Sequence, residues 1–231
     1  MVYGPSGFGS PDPGSYGPGR YGSGPSPYGT GPARPAAPAR RERVKAAALI
    51  VLAWVALLWL LEALDVASGH ALDTYAVTPR EIGELRDVVP AAFLHFGFGH
   101  LMANTVPLLI LGFIAAVSGI RRFAGVVAVI ILTSGLGVWL FAPAGTFTAG
   151  ASGVVFGLFG YLLVRGFVDR RPTWVGIGLV VGVLYGSILW GALPTDSGIS
   201  WQGHLFGLLG GVLAAFLFRE HREQRGGELT G

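Results

Sequence analysis

The stretch Thr148-Ala149-Gly150-Ala151-Ser152-Gly153-Val154-Val155-Phe156-Gly157 decides how this chain is read. A serine between small residues opens an apolar run that stops at Arg165. The residues between the two, Gly153 to Val164, would cover roughly 18 Å as a helix, against a bilayer core of about 30 Å. If Arg165 marks one membrane surface, the helix starts roughly 10 Å below the other. A hydroxyl at a helix start at that depth is an odd thing to build for packing alone.

The rest of the sequence supplies the membrane. Hydrophobic residues make up 52% of the 231 positions and charged residues only 13%, where a soluble domain carries about 25% charge. Mean hydropathy is +0.58. The charges cluster and leave long runs without any, the pattern of a polytopic membrane protein. Cysteine is absent, which excludes disulfides, thiolate nucleophiles and cysteine metal sites. No cofactor, metal or nucleic-acid partner is expected; the net charge of +3 bears on topology instead. The first apolar run begins near Ala46 and is too long for a signal-peptide core, so no such peptide is expected.

Residues 1–40 are rich in Gly, Pro, Ser and Tyr without apolar periodicity, and are expected to be a disordered cytoplasmic tail. Six apolar spans are expected within a membrane domain at 44–219, at about 46–64, 91–117, 123–142, 152–167, 174–193 and 201–218. A short tail, 220–231, follows. Of the 16 Lys and Arg residues, all but Arg80 and Arg86 fall in the amino-terminal segment, the second-to-third and fourth-to-fifth connections, and the tail. The positive-inside rule then puts both termini in the cytoplasm and opens Ser152 toward the external face. The expected fold is an all-α polytopic membrane protein of six transmembrane helices, with a short fourth helix starting within the membrane.

Strongly polar groups inside spans mark function by default. His100, Asn104, Ser152 and His204 stand out. His204 lies fifteen residues before Arg219 and Ser152 thirteen before Arg165, roughly 22 and 20 Å along a helix. Serine and histidine therefore sit at similar depth, where they can form a nucleophile and its general base or a structural hydrogen bond between helices. His100 and Asn104 are four apart and share a helix face. Both carry N–H donors, which an acyl-transfer oxyanion requires. A helix start at Ser152 adds a free backbone N–H and the positive end of the helix dipole. No acidic residue lies nearby in the spans to complete a triad, so the arrangement would be a Ser–His dyad. Gly207 and Gly211, with Gly153, Gly157 and Gly160, would let two helix backbones approach closely.

These residues resemble the rhomboid family of intramembrane serine proteases over about residues 80–218. The resemblance rests on His95-Phe96 with His100-x-x-x-Asn104, on Gly150-Ala151-Ser152-Gly153, and on His204-x-x-Gly207-x-x-x-Gly211. It implies a rhomboid-like bundle and an endopeptidase that cleaves transmembrane protein substrates near the external membrane boundary. Ser152 would be the nucleophile and His204 the base, with His100, Asn104 and the Ser152 N–H as the oxyanion site. Gly150, Phe156, Gly207 and Gly211 would support them, and His95 would be structural. The fifth span would resemble the family's lateral gate. Two positions depart from the pattern: Leu85 precedes Arg86 where many members carry Trp-Arg, and Phe156 stands where Tyr is frequent. The alternatives are a rhomboid-like pseudoenzyme that binds membrane helices and a small transporter. The second lacks an inverted repeat or an acidic coupling residue in the spans beyond Glu62.

Overall fold

The structure, a computed structural model, describes residues 40–194 and 199–220. The segment expected to be disordered, apart from Arg40, and the tail beyond Glu220 lie outside them. The described chain forms α1 (Arg40–Ala67), α2 (Phe98–Ala116), α3 (Ile120–Phe141), α4 (Ser152–Val168), α5 (Pro172–Tyr185) and α6 (Trp201–Leu217). α5 runs on as a 3₁₀ segment, Gly186–Ala192. Among the described residues, four helical segments are long and apolar enough to cross a membrane: α1, α2, α3 and α5 with its extension. α4 and α6 have 17 residues each, about 26 Å of helix.

α4 is the hub. It packs against α2, α3, α5 and α6, and α1 packs on α2 from outside. Its apolar sequence suits that place, because a helix hydrophobic all round belongs in a core. Leu158, Phe159, Tyr161 and Leu162 are almost wholly buried. The α4–α6 crossing is backbone on backbone. A Cβ at Gly207 would overlap the Gly153 carbonyl, and one at Gly211 would overlap that of Gly157. Small residues are what allow such an approach.

One expectation needs correction. The second helix was expected from Ala91, but α2 begins at Phe98. Residues Pro90–Phe93 form a 3₁₀ turn, and Leu94 is extended. Ala91 and Leu94 in this segment are apolar because they are buried, yet Gly97 at φ 97° takes a conformation no helix contains. Arg165, expected at the depth of the cytoplasmic membrane surface, is buried within the bundle and only 1% exposed. Its Nε donates to Asp169 and its Nη1 to Ser118, and its guanidinium lies 3.6 Å from the Trp174 ring centre. Buried guanidinium groups persist when paired in this way.

The connection from α1 to α2 is a chain of 3₁₀ turns anchored on α3 and on the loop before α4. Arg80 Nη1 donates to the carbonyls of Leu140 and Ala142, at 3.2 and 2.9 Å. Trp139 Nε1 donates to Glu81 O at 3.1 Å. Val77 and Thr148 exchange N–H···O bonds of 2.9 and 3.2 Å as an isolated antiparallel bridge.

Candidate active site

The loop that delivers Ser152 is held at Thr148, Gly150 and Ala151. Thr148 is fixed by Val77, and the Gly150 N–H donates to Ala91 O at 2.9 Å. The Ala151 N–H donates to His95 Nε2 at 3.2 Å. His95 therefore has a structural task, supporting the turn into α4. Gly150 is at φ 139°, and a Cβ there would come within 2.7 Å of His100 Cε1. Both facts require glycine.

Ser152 is the first residue of α4, and no side chain caps that end. The first-turn N–H groups of a helix lack intrahelical partners. The helix end thus presents unpaired donors beside the Ser152 hydroxyl, along with the positive end of its dipole.

His204 sits in the first turn of α6, behind Ser200, whose Oγ accepts from the Gly203 N–H at 3.3 Å. Ser134 on α3 donates to Gly203 O at 2.8 Å and ties the same turn to the bundle. The imidazole is only 7% exposed. Its Nδ1 lies 2.8 Å from Gly191 O. A carbonyl can only accept, so Nδ1 carries the proton and Nε2 is left as the basic nitrogen. One face of the ring stacks on Phe156, with centres 4.0 Å apart and planes 8° from parallel. Phe156 is four residues after Ser152, hence on the same face of α4 one turn on. The stacking thereby brings His204 to the Ser152 face of that helix.

Ser152, His204 and His100 line one cavity of about 590 Å³, together with Phe147, Trp201 and Gln202. His100 meets His95 edge-on, with ring centres 5.2 Å apart. Asn104 is buried one turn further along α2. Its Nδ2 donates to the carbonyl of His100 at 3.1 Å, which leaves the second amide proton free. The structure thus gathers three of the four sequence candidates round the cavity and sets Asn104 behind His100.

A family model for the rhomboid domain matches residues 83–221. The chain belongs to the rhomboid family. It is 43% identical to an uncharacterized protein of Mycobacterium tuberculosis over 186 residues, covering 77% of this chain and 78% of the relative. It is 30% identical to the putative rhomboid protease YdcA of Bacillus subtilis over 181 residues, or 76% and 89% of the two chains. Rhomboid protease GluP of the same organism is 31% identical over 136 residues, which is 58% of this chain but 26% of that longer protein.

Two features of this rhomboid's site had no signal in the sequence. Gly191 acts through its carbonyl, which every residue possesses, so no side chain announces it. Gln202 is 5% exposed and lines the cavity two residues before His204. A glutamine at the start of an apolar helix is one conspicuous polar residue among several, and its position on the wall follows only from the fold.

Proposed function

We propose that this rhomboid is an intramembrane serine endopeptidase that cleaves single-span membrane proteins near the external membrane boundary. The observation that supports it most is the fixing of His204. The Gly191 carbonyl takes its Nδ1 proton and the Phe156 ring fixes its plane, which leaves Nε2 as the basic nitrogen of a histidine that lines the same cavity as Ser152. In the proposed reaction the Ser152 Oγ attacks the scissile carbonyl carbon as its proton passes to His204 Nε2. The oxyanion is met by the Ser152 N–H, His100 and the free Asn104 amide proton. His204 then gives its proton to the leaving amine, and water releases the acyl group by the reverse sequence. The Gly191 carbonyl does what an aspartate does in a triad: it selects the tautomer, without adding a full charge.

The proposal includes six membrane crossings in a domain spanning 44–219, cytoplasmic termini in a cell membrane, and an active site open to the external side. The two 17-residue helices are compatible with it, since flanking residues and local thinning accommodate short spans. The substrates would be transmembrane proteins reached through the lipid bilayer.

A fluorophosphonate probe tests the proposal on protein purified in detergent and again in lipid vesicles. The wild type should be labelled, and Ser152→Ala and His204→Ala should not. Folded wild type that stays unlabelled in both settings would instead support a helix-binding pseudoenzyme.

A further inference from the structure

The external end of α1 gathers acidic groups to which the protease reading gives no task. Glu62 and Asp65 lie one turn apart on the buried stripe of α1, each 2% exposed. The chain then turns through Gly69 and His70, both at positive φ, and returns Asp73 in the 3₁₀ turn Ala71–Tyr75. His70 Nδ1 is 2.9 Å from Asp65 Oδ2 and 3.7 Å from Asp73 Oδ2. One ligand atom from each of the three residues lies within 4.8 Å of the others. A tetrahedral ion with bonds near 2.0–2.1 Å separates its ligand atoms by about 3.3 Å. The two His70 distances straddle that value.

Glu62 is an independent observation. Both its carboxylate oxygens are buried and lack hydrogen-bond partners, as does Asp73 Oδ1. The Gly97 N–H approaches Glu62 without reaching hydrogen-bond geometry, while Asp65, Asp73 and His70 are the charged groups it faces. No Lys or Arg occurs from Glu62 to Pro79. Among the described residues the ion pairs of Asp65 and Asp73 on this stretch go only to His70. Asp65 and Asp73 thus share one imidazole, Asp65 also accepting the Leu72 N–H, while Glu62 has no partner, and a buried carboxylate without a cation is costly. A divalent cation would remove that cost.

We propose that Asp65, His70 and Asp73 bind a divalent transition metal, with Glu62 completing its charge balance from the adjacent turn. The donor set selects the ion. An imidazole with carboxylates suits zinc, whereas calcium and magnesium take oxygen ligands alone. The half-exposed His70 side chain provides the entry path. Bound metal would staple the end of α1 to the loop whose Val77 pairs with Thr148, four residues before Ser152. The ion therefore steadies the approach to the active site and takes no part in the chemistry.

The test uses the full chain in detergent, stripped with a chelator and titrated with zinc alone against a chromophoric competitor. About one zinc per chain is expected at micromolar concentration or below, with a rise in melting temperature on loading. Asp73→Asn and His70→Asn should each weaken binding roughly tenfold or more and abolish the thermal shift; asparagine tolerates the φ of 66° at position 70. Ser152→Ala should bind zinc as the wild type does, which separates this site from the protease reading. The proposal is overturned if the wild type binds no zinc, or if the double variant Asp73→Asn/His70→Asn binds it equally well.

Discussion

Phe156 and Gly191 between them determine what His204 can do. The ring of Phe156 fixes the plane of the imidazole, and the Gly191 carbonyl fixes which nitrogen holds the proton. Stacking of this kind is worth about 0.5–1.5 kcal/mol beyond simple burial. If it is spent on orientation, Phe156→Ala should slow fluorophosphonate labelling by about threefold to tenfold. Phe156→Tyr, which keeps the ring face, should stay near wild type. Rates measured at equal folded fraction check this, and an unchanged rate in the alanine variant would remove Phe156 from the positioning of the base. Ser152, His204, His100 and Asn104 stood out in the sequence because a polar side chain in an apolar run is conspicuous, and three of them line one cavity. The Gly191 carbonyl was not, since a backbone acceptor leaves no trace in residue type. Nor was the use of one Asn104 proton by His100 O, because spacing gives the shared face and not the partner.

At the scale of elements, the short α4 and its glycine contact with α6 set the distance between the Ser152 and His204 helices. Gly211 is two turns from His204, against the Gly157 carbonyl. A larger side chain there must push α6 away from α4, and overpacking of this kind costs about 1–3 kcal/mol or more. A displacement near 1 Å at the reacting groups can cost on the order of 10²-fold in rate. Gly211→Leu is therefore expected to lower both the melting temperature and the labelling rate. Gly176→Ala is the control, because a Cβ at Gly176 meets nothing within 4 Å; it should leave both unchanged. A Gly211→Leu protein with wild-type stability and labelling would show that the crossing is looser than drawn. The helices were legible from their apolar runs, and the start of α4 at Ser152 fell where the small residues end. The start of α2 was not legible. Residues 91–97 are as apolar as a helix, and hydropathy alone does not separate a buried turn from a span.

For the molecule as a whole, the end opposite the Ser152 cavity is closed by charge. Asp169 accepts from Arg165 Nε at 3.2 Å, from Arg122 Nη2 at 3.0 Å and from the Glu220 N–H at 2.9 Å. Glu220 accepts in turn from Arg122 and Arg171, both at 2.7 Å. The cluster joins the start of α3, the end of α4, the approach to α5 and the chain leaving α6. The burial of Arg165 was not legible in the sequence, because Ser118 and Glu220 reach it from other segments and hydropathy registers a charge without its pairing. Burial alone would raise the Asp169 carboxyl, but the Glu220 N–H and the two arginines outweigh it and hold the group below its ordinary value of 3.8. A carboxyl with a lower pKa folded than unfolded stabilises the protein fully above the unfolded value, and that stability is lost as pH falls through the folded one. The cluster should therefore contribute evenly from pH 7 down to about 5 and fail below about 4. Asp169→Asn leaves the 1% exposed Arg165 short of its nearest carboxylate, a change that costs about 3–5 kcal/mol in buried pairs. Thermal melts of wild type and Asp169→Asn from pH 7 to 3 should show a large gap at neutral pH that narrows below pH 4 as the wild type loses the same interaction. A gap that persisted unchanged at pH 3 would mean that Asp169 acts through its shape and hydrogen bonds alone, with its charge contributing nothing to closing this end of the bundle.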